Sequence, residues 1–345
     1  MKKGFISIQF NWIFILIAGA IILSFFVVVI QKQKGSSDTG LDVNLKLRLG
    51  TIITTAQQSP NTLFRLRVPR AEISHGCTGF SVGELAPTRF KYAFAPDLLK
   101  SATGELYIMV MEWNVPYKVA NFLYISTPEV RYVFVDDAGG HARQVFGSFP
   151  GNVTMELVAD KDGSGDAGDE LQAITDNNNY KVRFVFFEDP GGYTLPALRT
   201  DDTGITAVQI GMDDGIDSYG TVKFFAYDGT GLVSVGESPW LGLPGLVGAV
   251  FSEDKESYEC SVNEAFERLS IITGILKTRA AAIRDYYGGL SGDTCSPRYA
   301  DSLDELDQIT ANSGDLANAQ AIYNSAKSLK NHNSLLQLKS CEMIY

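Results

Sequence analysis

The hydrophobic pattern is dominated by one stretch, GFISIQFNWIFILIAGAIILSFFVVVIQ over residues 4–31, which holds no charged residue. A bilayer core about 30 Å thick takes about 20 apolar residues in a helix, and Phe10 to Ile30 supplies that length. Lipid offers the backbone no hydrogen-bond partner, so such a segment must be helical. Asn11 and Trp12 sit near its start, where an amide and an amphipathic ring suit the interface. The pattern predicts a transmembrane helix whose partner is the lipid bilayer, through residues 10–30. A secretory signal would stop after about 7–15 apolar residues. Here Ile21–Ile30 continues beyond the small residues Ala18-Gly19-Ala20, which predicts an uncleaved signal anchor. Lys2 and Lys3 lie on one side and Lys32 and Lys34 on the other. With so short a tail, the amino terminus is expected in the cytoplasm and residues 35–345 outside the cell, as a single-pass cell-membrane protein.

Beyond the anchor, GSSDTG at residues 35–40 reads as a polar hinge. Leu41, Val43, Leu45, Leu47 and Leu49 alternate with polar residues, the period of a half-buried strand. Leu63–Val68 and Arg89–Phe94 read as further strands. From Glu105 the runs become apolar on both faces: Leu106–Met111, Val130–Val135, Val182–Phe187, Ala207–Ile210, Val222–Tyr227 and Leu246–Phe251. Such runs suit interior strands of a parallel sheet. Val115–Ser126, Asp169–Thr175 and Leu195–Thr200 are the candidate crossover helices between them. At the far end, Ser261 with Glu264 makes a capping box. Apolar positions at spacings of three and four then predict a helix over 261–287. Ser302 with Glu305 and the series Leu316–Leu329 predict returning helices, with Ser334–Cys341 a last short one. The fold class expected is α/β: an N-terminal transmembrane helix, then a Rossmann-like or mixed-sheet ectodomain carrying a C-terminal helical hairpin. The divisions are 1–34 for tail and anchor, 35–104 for hinge and small β region, 105–259 for the α/β core, and 260–345 for the helices.

Charge narrows the partners. The net charge is −11, and no basic patch is evident that would displace counterions from phosphates, so nucleic acid is not an expected partner. Cys77, Cys260, Cys295 and Cys341 are even in number and form no CxxC pair, which reads as two disulfides in an oxidising compartment. The helix over 261–287 spans about 40 Å at 1.5 Å per residue, and the returning helices bring residue 341 back toward its start. The expected pairs are therefore Cys260–Cys341 and Cys77–Cys295.

Candidate chemistry is sparse. Asp160, Asp162, Ser164 and Asp166, with Glu170 following, place oxygens on alternate residues as a hard cation requires. The cofactor considered is calcium, although position twelve of an EF-hand-like loop is Leu171 instead of a bidentate acid. Acids follow most apolar runs (Asp136-Asp137, Glu188-Asp189, Asp213-Asp214, Asp228, Glu253-Asp254), and α/β folds place ligands beyond strand carboxyl ends. Trp113 and Trp240, near prolines, are candidates for an exposed binding platform.

Lys2-Lys3-Gly4 followed by Phe5-Ile6-Ser7-Ile8-Gln9 resembles the class III signal of type IV pilins and their relatives. The resemblance covers about 30 residues. It implies a peptidase cut between Gly4 and Phe5, with the helix retained as a filament core. The family usually has Glu at the fifth mature position, where this chain has Gln9, keeping a polar atom and losing the charge. Together these features lead to an expected surface structural or binding module, a lone anchored domain or a pilin-like subunit with like subunits or other surface proteins as partners. The alternative is a membrane-tethered extracellular hydrolase using the strand-end acids.

Overall fold

The computed structural model describes residues 5–345 except 69–71, 84, 101–102, 150–152, 160–167, 173, 175–179, 197, 199–203 and 292; within the first helix the side chains of 5–14 and 29–42, and later those of 168–169, are also outside the description. The first element is a continuous helix, α1 (Phe5–Ala56). Among the described residues no helix is long and apolar enough to cross a membrane. The transmembrane part of the expected fold is thereby overturned. The helix also passes through 35–40 and 41–49, where a hinge and a strand were expected. Leu45, Leu49, Ile53 and Ala56 explain this, because at spacings of three and four they form one buried stripe. The alternation seen from Leu41 to Leu49 mixes that buried stripe with exposed apolar residues such as Leu47.

The remaining elements in chain order are β1 (Thr62–Arg67), β2 (Glu72–Gly76), β3 (Gly79–Val82), β4 (Ala93–Phe94), β5 (Leu98–Lys100), β6 (Glu105–Asn114), β7 (Lys118–Ser126) and β8 (Val130–Val135). Then follow α2 (His141–Ser148), β9 (Met155–Val158), α3 (Gly168–Gln172), β10 (Lys181–Phe186), β11 (Ile205–Met212), β12 (Tyr219–Tyr227) and β13 (Leu232–Leu241). The chain closes with α4 (Gly242–Phe251), α5 (Lys255–Gly288), α6 (Arg298–Asn312) and α7 (Ala319–Leu338). They form a mixed α/β architecture with three sheets, ordered β1-β6-β7-β4, β13-β12-β11-β10-β8-β9 and β3-β2-β5. In the largest sheet β9, β8, β10 and β11 run parallel, while β12 and β13 are antiparallel additions. The mixed-sheet half of the expectation therefore holds for the described residues.

Two expected elements change type. Val115–Ser126, read as a crossover helix, contains β7, which pairs with β6 as an antiparallel hairpin. Leu246–Phe251, read as a strand, lies in α4. Leu246, Val247, Ala249, Val250 and Phe251 are all buried, because α4 lies between the four-stranded and six-stranded sheets and touches both. A short run apolar on every side fits a buried helix as well as an interior strand. The long helix starts earlier than its capping box: Asp254 caps α5, its carboxylate accepting from the Ser257 amide at 2.8 Å. Ser261 is instead buried, donating to Ala93 O at 2.6 Å. The expected hairpin is three helices, with α6 packed between α5 and α7 in sequence order, and α7 absorbs most of the expected last short helix.

The disulfides also differ from expectation. Cys77 bonds Cys260, and Cys295 bonds Cys341, with Cα separations of 5.6 and 5.7 Å. The return path explains the error. α7 runs back toward the loop after α5, where Cys295 lies, so Cys341 never reaches the start of α5. Tyr299, just past that loop, donates to Glu342 O at 2.6 Å. The start of α5 faces the small sheet instead, and Cys77 in the β2–β3 turn meets it there.

Candidate functional site

The connections of the parallel strands reverse direction at β8 and β10. From β8 the chain moves outward to β9, and from β10 it moves the other way to β11. Such a switch point opens a crevice beyond the strand carboxyl ends. Of the acids singled out in the sequence, Asp136, Asp137, Glu188 and Asp189 follow β8 and β10 and lie at this end of the sheet.

Each is held locally. The Asp137 side chain is buried, and its carboxylate accepts from the Ala142 amide at 2.8 Å, the Gly139 amide at 3.1 Å and His141 Nδ1 at 2.7 Å. The tight turn before α2 needs Gly140 in the left-handed region, at φ 69°. Asp136 takes Arg143 Nε at 2.9 Å and Nη2 at 2.6 Å, and that pair lifts the guanidinium above its ordinary value. Glu188 accepts from the Ala138 amide at 3.4 Å, and Phe187 stacks on the His141 ring with centroids 6.4 Å apart. Asp189 caps a short turn through the Gly191 amide. With Nδ1–H donated to Asp137, the imidazole leaves Nε2 as its basic atom, the arrangement a general base needs. Among the described residues no hydroxyl or thiol hydrogen-bonds that Nε2, and no group of three or more His, Cys, Asp or Glu side chains is placed to hold a metal ion.

The other acids lie elsewhere. Asp214 faces Lys327 on α7 at 3.4 Å. Asp228 closes the β12–β13 hairpin: the Thr230 hydroxyl at 2.7 Å, then the amides of Thr230 and Gly231, hold its carboxyl below the usual range. Glu253 lies at the opposite end of the sheet beside Lys181, the first residue of β10. The expected cation loop places only Glu170 among the described residues, in α3; Asp160, Asp162, Ser164 and Asp166 lie outside them. Gly4, on the amino side of the expected cut, also lies outside, and Phe5 is the first residue of α1.

Trp113 and Trp240 form no platform, since both are buried. Their indole N–H groups donate to Leu241 O at 2.9 Å and Gly211 O at 3.0 Å, and Trp113 stacks on Phe122 and Phe266. A cleft of about 570 Å³ does open near them, lined by Asn114, Pro116, Leu243, Tyr323, Lys327 and Lys330. Two residues of interest escaped the sequence reading. His141 was signalled by its spacing of four from Asp137; Lys181 had no local signal, because its partners are distant in sequence. Comparison with protein families, curated proteins and solved structures finds no match to this chain.

Proposed function

We propose that this protein is a surface structural or binding module acting outside the cytoplasm. In this reading a disulfide-stapled α/β head is displayed on α1, with like subunits covering the apolar residues at the other end of that helix. The observation that carries the reading is the continuity of α1. Its carboxyl-terminal stripe (Leu45, Leu49, Ile53, Ala56) is locked into the head, while Leu16, Leu23 and Phe25, further toward its start, are 69%, 67% and 64% exposed. Apolar residues on every face of a helix call for a covering partner. Two disulfides support an oxidising compartment. Pilin-like processing before Phe5 is the finer part of the proposal. Intact-mass measurement tests it: a chain beginning at Phe5 supports a filament-type subunit, and one beginning at Met1 or Lys2 ends that part. Sedimentation tests the module itself, with self-association expected for the full chain and lost when residues 1–34 are removed.

A second reading, a tethered extracellular hydrolase, is favoured by the Asp137–His141 pair at the switch point. Ester and glycoside hydrolysis that disappears in both Asp137→Asn and His141→Gln would establish it; turnover unchanged by both ends it.

A further inference from the structure

At the amino end of β10, Lys181 is almost wholly buried and its Nζ bonds both Asp97 and Glu253. Glu253 also accepts from the Asp97 amide at 3.0 Å. These residues come from different parts of the fold. Asp97 lies between β4 and β5 and is tied to β2, its carbonyl accepting from the His75 amide at 2.7 Å. Lys181 belongs to the six-stranded sheet, and Glu253 follows α4. Next to Lys181, the Tyr180 hydroxyl accepts from the Lys100 amide at 2.8 Å and donates to Leu98 O at 3.1 Å. The polar links between the three-stranded sheet and the six-stranded sheet are thus gathered around residues 180–181 and 253.

The charge count in this cluster is unbalanced. Two carboxylates share the Lys181 ammonium; Lys181 and Glu253 are largely buried while the Asp97 side chain is 56% exposed, so the cost of an uncompensated charge falls on Glu253. Arg183, two residues along β10, forms no ion pair with either acid, although its buried charge acts on Glu253 through space. It is fully buried and donates to Glu253 O at 2.9 Å, Ala249 O at 3.2 Å and Ser252 O, capping the end of α4. Asp254 is turned toward the Ser257 amide and hydroxyl. The Tyr132 hydroxyl bonds Ser126, and burial pushes Tyr180 up to about 12. Burial pushes His75 down to about 4, so that ring is neutral above mild acidity. A proton held on the pair removes the buried Glu253 charge that Lys181, shared with Asp97, compensates only in part.

We propose that Asp97, Lys181 and Glu253 form a proton-operated latch: with one proton on the carboxylate pair the three-stranded sheet is held against the core, and loss of that proton as pH rises loosens it. Burial, with the neighbouring Asp97, pushes the Glu253 carboxyl up to about 7. For Asp97, burial alone would raise its value, but hydrogen bonds from Glu253 and Lys181 outweigh this and lower it. The signs follow from linkage. A raised folded value for Glu253 means stability present in full below its unfolded value of about 4.5 and lost as pH rises through about 7. A lowered value for Asp97 means stability present above its unfolded value of about 3.8 and lost as pH falls through the folded one. The latch is therefore tightest in mild acid.

Hydrogen exchange on the full chain with both disulfides intact tests this. Opening of β2, β3 and β5, corrected for intrinsic rates, should increase roughly tenfold or more between about pH 5.5 and about pH 8, while β8 and β10 stay protected. Glu253→Gln, which fixes the protonated form, should abolish the response. Asp97→Asn, at a half-exposed site more tolerant of change, should reduce it to under about threefold, because Lys181 and Glu253 then balance. A wild-type protein whose small sheet opens equally at both pH values overturns the latch. So does an Asp97→Asn or a folded Glu253→Gln protein that keeps the full response.

Discussion

Cys77 and Cys260 are bonded across 183 positions of sequence, with their Cα atoms 5.6 Å apart. The bond fastens the β2–β3 turn to the first turns of α5, two elements that share no strand pairing. The second bridge, Cys295–Cys341, spans 46 positions and ties the end of the chain to the α5–α6 loop.

The longer loop should matter more. In the chain-entropy account a bridge of this length stabilises by about 5 kcal/mol and the shorter one by about 4 kcal/mol. The double variant Cys77→Ser/Cys260→Ser should therefore unfold at lower denaturant than Cys295→Ser/Cys341→Ser. A non-reduced peptide map should yield the Cys77–Cys260 and Cys295–Cys341 peptides; a Cys260–Cys341 peptide would contradict the fold.

What was legible in the sequence follows from how local each cause is. β8 and β10 were legible because their runs are apolar on both faces and both faces are buried. β1 and the α5 helix were legible from their periods. The strand-end acids Asp136, Asp137, Glu188 and Asp189 were legible as a group, since strand order alone brings them to one end. The pairing of cysteines was not, because it depends on which way α6 and α7 turn. α4 was misread because a fully buried helix has no polar face to reveal its period. The Lys181–Glu253–Asp97 cluster was invisible because its members are brought together only by the packing of two sheets.

Arg183 caps α4 from the neighbouring sheet, and its guanidinium lies 5.6 Å from the Phe224 ring centre. Arg183→Ala would leave the carbonyls of Ser252 and Glu253 buried without their donor and open a cavity, so a loss of about 3–5 kcal/mol is expected. Arg183→Lys should recover little of it, since an ammonium cannot reach three carbonyls from one planar fork. Chemical denaturation of the two variants measures both effects.

Trp113 joins the β6–β7 hairpin to the start of α4 and the middle of α5. Trp113→Phe keeps the stacking on Phe122 and Phe266 but leaves Leu241 O without its donor, at a cost of about 1–2 kcal/mol. Trp113→Ala should cost about 3–5 kcal/mol by emptying the site. Equal losses for the two would mean that the indole N–H, not the packing, dominates there.

Asp137 gathers two backbone amides and an imidazole at the entry to α2. Asp137→Ala should destabilise by about 1–2 kcal/mol, the range of a lost helix-start acceptor. Thermal unfolding of Asp137→Ala beside His141→Ala separates the contributions: the amides account for most of the effect if His141→Ala is nearly neutral.

Two helical glycines give opposite expectations for the same substitution. Alanine exceeds glycine in a helix by about 1 kcal/mol. At Gly274 on α5 an added Cβ meets nothing within 4 Å, so Gly274→Ala should stabilise by about that amount. At Gly248 on α4 the same Cβ would lie 2.8 Å from Phe94 Cε1. Phe94 is held among the rings of Phe122, Tyr124 and Tyr258, with centroids 5.1, 5.6 and 5.9 Å away, so it cannot move aside. Overpacking of this kind costs about 1–3 kcal/mol, enough to outweigh the propensity gain. Gly248→Ala should therefore lower the melting temperature, and Phe94→Leu in the same chain should return part of the loss. A stabilised Gly248→Ala protein would mean that α4 does not press against β4.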